Sequence, residues 1–425
     1  MVGLLITRGR SFWKSGSDPD FAVKIVFVNR FFYPDLAPTG LHAAEVAFDL
    51  AAAGHEVHAV TSRLAYDGKG PGYAAEETVR NVQVHRVWTT RFGRGSINGR
   101  ALDYFSFYLS AFFVLAGMLN QKDIVVAKTD PPLISVVAAF AAMLRGARLV
   151  NWLQDVFPEA AARSGMRLLS GPLGALARML RDWSVRRAVV SVVLGERMGA
   201  EVGRLVPGAR LRVVPNWADG AAIRPMLPGA SASRREWGLE GKFVVGYSGN
   251  LGRVHDCDTL LAAARLLAEE RDVAFWFTGG GYHFARLREA GLANLSLRGY
   301  VPEERLGESL AACDVHLVTL LPAFEGLIVP SKFYAAAAAG RAVIFVGDPD
   351  GEIARAIAAH GCGVTVAAGD AAGLAAAIKD LRASPDKLRS MGERARVAFE
   401  REWDKPIALA RWREVIAAVE KAGQK

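Results

Sequence analysis

Two stretches of the chain set a cation among glycines in a way that suits an anionic ligand. In YSGNLGRVHD (247–256) an apolar run ends at Gly249-Asn250, Gly252 allows a turn, and Arg253 projects from the loop. Arginine matches a diphosphate because its planar fork donates two parallel hydrogen bonds. In EGLIVPSKFYAAAAAG (325–340) the loop Glu325-Gly326-Leu327-Ile328 leads to Pro330-Ser331-Lys332 and an alanine-rich helix that Gly340 ends. A phosphate at that helix start would meet free backbone N–H groups, the Ser331 hydroxyl and the Lys332 ammonium together. The plainer alternatives are a solvated loop charge at Arg253 and a surface lysine on a capped core helix at Lys332.

Four further stretches have the same strand-then-loop character. FTGGGY (277–282) ends a strand in three glycines, so Gly280 permits close backbone approach to a ligand or simply a flexible turn. LRGYVPEE (297–304) carries Tyr300-Val301, which can present backbone groups to a planar base. In NWLQDVFPEAA (151–161) Asp155 is the acid best placed to face a cleft, with Glu159 equally placed. Either acid could instead cap a helix. In YPDLAPTGLHAAE (33–45) Thr39-Gly40 opens a helix, where a glycine lets an anion reach the positive end of the dipole. An ordinary strand-to-helix loop is the competing reading there, and the spacing is not the GxGxxG of a nicotinamide dinucleotide site.

These residues need strands to carry them. Apolar runs at 24–29, 55–61, 82–87, 124–127, 148–152, 189–193 and 211–214 alternate with helical segments. The series restarts at 243–248, 274–278, 295–297, 315–320, 342–346 and 364–366, after a stretch rich in Ala, Pro, Gly and Ser at 218–241. Nearly continuous apolar strands alternating with helices predict parallel sheets covered on both faces. The expected fold is α/β: two doubly wound Rossmann-like domains of five to seven strands each, facing each other across a cleft. The expected division is an extension at 1–22 without fixed structure, a first domain at 23–217, a second at 218–402 and a terminal helix at 403–425. Helices are expected near 386–401 and 406–421, and Trp403 and Trp412 should dock this tail, packing it back on the first domain.

Composition bounds the class. At 425 residues, 51% hydrophobic and 22% charged, the chain is globular and too long for one core. A net charge of +9 and a sequence pI of about 9.6 favour a polyanionic neighbour. Cys257, Cys313 and Cys362 are scattered, which fits a reducing cytoplasm and argues against a structural zinc site. Phe105–Leu119 is apolar but shorter than the ~20 residues of a membrane span. Arg91, Arg94 and Arg100 precede the aromatic stretch 104–113, and Arg163, Arg167, Arg178, Arg181, Arg186 and Arg187 follow with the single acid Asp182 between them. Basic residues beside an aromatic-rich helix predict a protein peripheral at an anionic membrane surface; a solvated helix face is the alternative. No nucleic-acid-binding signature is present.

The combination YSGNLGRVHD, EGLIVPSKFY…AAAG and GDPDGEIAR, supported by DVFPE and VVPNWAD, resembles the family 4 glycosyltransferases of the GT-B fold, close to the WcaI/WbuB-like polysaccharide-assembly subgroup. The likeness runs from Lys24 to Trp412. It implies retaining transfer from a nucleotide-diphosphate sugar, a UDP-sugar by expectation. It also implies no metal or other cofactor and a polyprenyl-diphosphate-linked or growing glycan acceptor at the cytoplasmic face of the inner membrane. By the same resemblance Arg253 and Lys332 hold the diphosphate, Gly40 faces it from the first domain, Tyr300-Val301 flank the base, and Asp155 takes a place where many relatives carry a histidine near the sugar. Gly249, Asn250, Gly280 and the 325–331 loop, Ser331 included, complete the donor set.

The chain departs from that pattern in two places. The glutamate pair usual in the family would fall at Leu327 and Ala335, so neither acid is in register, and Glu325 is the displaced substitute. His255 stands where a lysine is common. A nucleotide-sugar 2-epimerase of the same fold and a non-catalytic nucleotide-sugar-binding subunit are the competing functions.

Overall fold

The structure, a computed structural model, describes residues 23–35, 38–66, 72–93 and 97–422; the expected extension at 1–22 and Arg94 lie outside the described residues. The first sheet is built from β1 (Lys24–Val28), β2 (Glu56–Ser62), β3 (Glu76–Val79), β4 (Val82–Val87), β5 (Ile124–Lys128), β6 (Arg148–Trp152), β7 (Val190–Val193) and β8 (Leu211–Val213). Its order is β3-β4-β2-β1-β5-β6-β7-β8, all parallel except β3, which runs antiparallel to β4. That is one strand more than the sequence predicts. The extra strand, EETV, is a polar edge ribbon with no apolar run to announce it.

The second sheet holds β9 (Phe243–Asn250), β10 (Val273–Gly280), β11 (Leu295–Arg298), β12 (Val315–Thr319), β13 (Ala342–Gly347) and β14 (Gly363–Ala367), ordered β11-β10-β9-β12-β13-β14 and parallel throughout. In each sheet the first strand sits centrally and the chain reverses its direction of growth beside it, at β1/β5 and at β9/β12. A crevice opens at the carboxyl ends there, because successive loops leave in opposite directions. Both switch points carry loops that the sequence singles out, 33–40 in the first and 249–255 and 325–332 in the second, and the short turn 129–130 after β5 joins the first.

The two sheets share a hydrophobic core. Val193, Leu194 and Met198 of the first pack into one buried cluster with Leu320, Phe324 and Leu327 of the second. The chain end ties both halves together. Helix Pro385–Glu402 packs on the second sheet's helices, and Trp403 closes it against Phe333 and Tyr334, with ring centroids 5.0 and 6.0 Å away. Helix Lys405–Ala422 then crosses to the first sheet, where Trp412 is fully buried 4.3 Å from the Trp152 ring. The Arg148 guanidinium donates to the Val419 carbonyl at 2.8 Å. The tail therefore docks on both domains, one tryptophan in each.

Candidate active site

Lys332 is the first residue of helix Lys332–Ala338, and its side chain reaches back over the carboxyl end of β9. Its ammonium lies 3.2 Å from His255 Nε2 and 5.4 Å from the centre of the Tyr247 ring. Burial lowers its pKa to about 8. His255 Nδ1 is 2.6 Å from the Thr319 carbonyl, an acceptor only, so Nδ1 carries the proton and Nε2 presents a lone pair to the ammonium. Burial first, then the Lys332 charge, push the His255 pKa down to about 3, so the imidazole is neutral. No carboxylate pairs with Lys332 among the described residues. It is a partly desolvated cation aimed by a neutral base, at the second switch point.

The glycine before it is there to make room. Gly249 has φ +114°, and a Cβ would sit 3.2 Å from Lys332 Cε. The alanines serve the same end: Ala336, Ala337, Ala338 and Ala339 are buried at the sheet, which lets the helix start lie close to β9. Ser331 is exposed at the helix mouth, and its hydroxyl caps nothing.

Arg253 is exposed, and its guanidinium stacks on the Tyr282 ring at 4.1 Å. It lies across the cleft from the first domain, close enough that a Cβ on Gly165 would be 3.7 Å from Nη1. Asn250 is likewise exposed beside it, its carbonyl accepting from the Tyr247 hydroxyl at 3.0 Å. Tyr300 is 69% exposed at the rim, and Tyr66 of the first domain is the neighbour that raises its pKa after burial. Val301 follows in the same loop, partly buried.

Asp155 does not cap a helix. Its backbone forms an antiparallel bridge with Ile328, and Val156 N donates to the Leu327 carbonyl at 2.9 Å, so the two domains join backbone to backbone beside it. Its carboxyl is pushed up to about 6, by burial first; a hydrogen bond from Thr129 opposes this and the nearby Asp130 adds to it. Thr129 and Asp130 follow β5 at the first switch point, which puts the Asp155 carboxyl beside that strand end at the domain junction.

Several expectations need correction. Glu325 is not a free ligand group: its carboxylate accepts from Glu352 N at 2.9 Å, capping helix Glu352–His360. The Leu327 side chain is fully buried in the shared core, and Gly326 (φ +74°) turns the loop against Arg197 and Glu201. The three glycines at 279–281 are packing residues. A Cβ on Gly279 would lie 2.2 Å from the Gly249 carbonyl, one on Gly281 2.7 Å from Leu251 N, and one on Gly280 3.2 Å from the Tyr300 ring. Gly40 is explained the same way, 2.9 Å from the Phe31 carbonyl. Arg181 is buried and paired with Glu159 at 3.0 Å and Asp182 at 2.6 Å, which removes it from the basic surface. Helix Ile97–Met118 is longer than the apolar run read in the sequence, and Asn98–Met118 is long and apolar enough to cross a membrane, yet one side of it is packed on the sheet.

The sequence reading also missed partners. In sequence His255 reads only as a replaced lysine, and nothing there singles out Tyr247, Tyr282 or Thr129. An interdomain chain of caps was missed too. The Glu352 carboxylate accepts from Glu196 N at 3.2 Å and Arg197 N at 2.8 Å, capping helix Glu196–Leu205 of the other domain, and Arg197 pairs with Asp350 at 3.1 Å. Gly195 leaves room for this cap, since a Cβ there would meet the Glu352 carboxyl at 2.3 Å.

Comparison with known proteins agrees with this architecture. A family model described as a glycosyl transferase 4-like domain matches residues 39–217, and one described as glycosyl transferases group 1 matches 242–384. The chain is 30% identical over 306 residues to a probable glycosyltransferase, WbjE, of Pseudomonas aeruginosa, covering 70% of this chain and 75% of that one. It is 27% identical over 327 residues to the putative colanic acid biosynthesis glycosyl transferase WcaI of Escherichia coli (strain K12), covering 73% and 80%. Among solved structures, a sucrose-phosphate synthase of Thermosynechococcus elongatus superposes with a TM-score of 0.74 at 16% identity, over 93% of this chain and all of that one. HepE of Anabaena in complex with UDP-glucose superposes with a TM-score of 0.68, also at 16% identity, over 93% and 99%. Two parallel-sheet domains meeting at their switch points, and a relative this similar over most of both chains, identify this protein as a member of the family 4 glycosyltransferases of the GT-B fold, in the polysaccharide-biosynthesis group.

Proposed function

We propose that the protein transfers a sugar, with retention, from a nucleotide diphosphate to a lipid-linked or growing glycan. The expected donor is a UDP-sugar, and the reaction uses no metal. The expected site of action is the cytoplasmic face of the inner membrane. The observation that carries the reading is the Lys332 ammonium, held at the second switch point by neutral His255 and unpaired with any carboxylate among the described residues. A cation in that state lacks a counter-charge that a diphosphate would supply. As the sugar–phosphate bond breaks, negative charge grows on the leaving diphosphate. Lys332 offsets it from the second domain, in a site partly shielded from water where each charge counts for more, and Arg253, on the loop that leads to His255, adds a second cation. Ser331 and the free N–H groups of the helix mouth add donors. Tyr300 lies over the base position at the rim, and Asp155 accepts from a sugar hydroxyl at the domain junction. Glu325, committed to its cap, takes no part in ribose binding. HepE, a structural neighbour, was crystallised with UDP-glucose, which supports a UDP-sugar as the first donor to try.

The test is incubation with UDP-, GDP- and dTDP-sugars and a polyprenyl-diphosphate-linked acceptor. Expected is a transfer product of retained configuration with one donor. Conversion of donor to its epimer without transfer would instead establish the epimerase, and absence of both nucleotide binding and turnover would overturn the catalytic reading.

A further inference from the structure

The outward face of the first domain is apolar where a surface helix is ordinarily polar. Helix Ile97–Met118 buries Phe107, Ala111 and Leu115 in the core. It turns Leu102, Phe105, Leu109 and Phe113 outward, with the two phenylalanines each 65% exposed. From Ala101 to Gly117 none of its exposed positions is charged. The adjoining helix Ile134–Arg145 exposes Phe140, Met143 and Leu144, and helix Pro172–Arg187 beyond it exposes Leu173, Leu176 and Met179. The Phe140 ring packs against Trp183 with centroids 4.5 Å apart, so the apolar faces of these two helices are continuous. Trp88 and Phe92, 62% and 61% exposed, extend it toward the carboxyl end of β4, where Phe92 N is anchored on Asp103 at 3.0 Å. Soluble monomers rarely leave so broad an apolar face in water.

The border of this face is basic. Arg145, Arg167, Arg186 and Arg187 are exposed around it. Two copies of the chain meeting symmetrically on this face would bring arginine toward arginine. An anionic lipid surface matches both parts: apolar side chains at the acyl boundary, guanidinium groups on the headgroups.

We propose that this three-helix face lies within the interfacial layer of an anionic bilayer, so that the protein is held by insertion of apolar side chains and not by surface charge alone. The proposal rests on the membrane-side part of the proposed function and is independent of the transfer chemistry. Each of the three helices starts at the carboxyl edge of the first sheet, so the embedded face runs out from the mouth of the cleft, where a lipid-borne acceptor would arrive.

Flotation of the full chain with vesicles of phosphatidylethanolamine and phosphatidylglycerol, without donor or acceptor, tests this. Between about 0.1 M and about 1 M NaCl, which shortens the screening length from ~10 to ~3 Å, binding should weaken but persist. The double variant Phe105→Glu/Phe113→Glu should lower partitioning at least about tenfold at both salt levels. Arg186→Glu/Arg187→Glu should lower it only at low salt. Absence of vesicle binding, or its complete loss at high salt, would overturn the proposal. So would a phenylalanine variant that floats normally while its sedimentation shows a dimer turned monomer. UDP binding by the same preparations reports on folding and on the donor site separately.

Discussion

At the scale of single residues, the site depends on how one lysine is held. Lys332→Ala should reduce turnover by two or more orders of magnitude, because a preorganised donor to developing charge is worth about 3–4 kcal/mol or more; circular dichroism should show the fold unchanged. Near-normal turnover would remove the phosphate role. The depressed pKa adds a pH signature. An anion binds the protonated ammonium, and this group loses its proton as pH rises through about 8, well before an ordinary lysine at 10.5. UDP affinity should therefore fall between about pH 7 and pH 9.5, with proton uptake on binding above about pH 8, readable by calorimetry in two buffers of different ionisation enthalpy. Lys332→Arg, which does not titrate there, should flatten the profile. The stability sign runs the other way. Between about 8 and 10.5 the unfolded chain holds this proton and the folded chain does not, so the cost of burying the charge fades as pH rises.

At the scale of elements, the helix behind Lys332 acts as a spacer. Its buried alanines set how near the ammonium comes to β9, and Gly340 at φ +64° ends it under helix Pro385–Glu402, where a Cβ on Gly392 would be 2.3 Å from the Gly340 carbonyl. Ala337→Leu should cost about 1–3 kcal/mol by overpacking and also weaken UDP binding, since the helix must move off the sheet; thermal melts and calorimetry separate the two effects. The caps form a second element-scale device. Glu325 caps the helix that begins at Glu352, and Glu352 caps a helix of the other domain. Glu352→Ala should cost about 1 kcal/mol in a thermal melt and raise protease sensitivity at the 195–205 helix. The 325–340 stretch had the right elements in the sequence because proline, serine and glycine punctuate locally. The partner of Glu325 was not legible there, because it lies in a helix reached through a later strand.

At the scale of the whole molecule, the tail staples the halves. Trp403 fills the core that the two sheets share and Trp412 the core of the first, so both domains are held by one short segment. Trp412→Ala should cost about 3–5 kcal/mol, read as a lowered denaturant midpoint. A melt that splits into two transitions would mean that the domains have lost their coupling.

The alternation of apolar runs with capped helices determined two doubly wound sheets from sequence alone, because backbone periodicity and glycine or proline punctuation act over a few residues. The same local chemistry marked Lys332, Arg253 and Asp155 as cleft groups. Tertiary structure decided the rest. It placed His255 under the ammonium, committed Glu325 to a cap, and assigned the glycines at 279–281 to strand-end packing. It also left three apolar helix faces side by side on the outside. Each of these depends on which side chain arrives from a distant strand or helix, and the identity of a residue does not carry that information until the sheets are assembled.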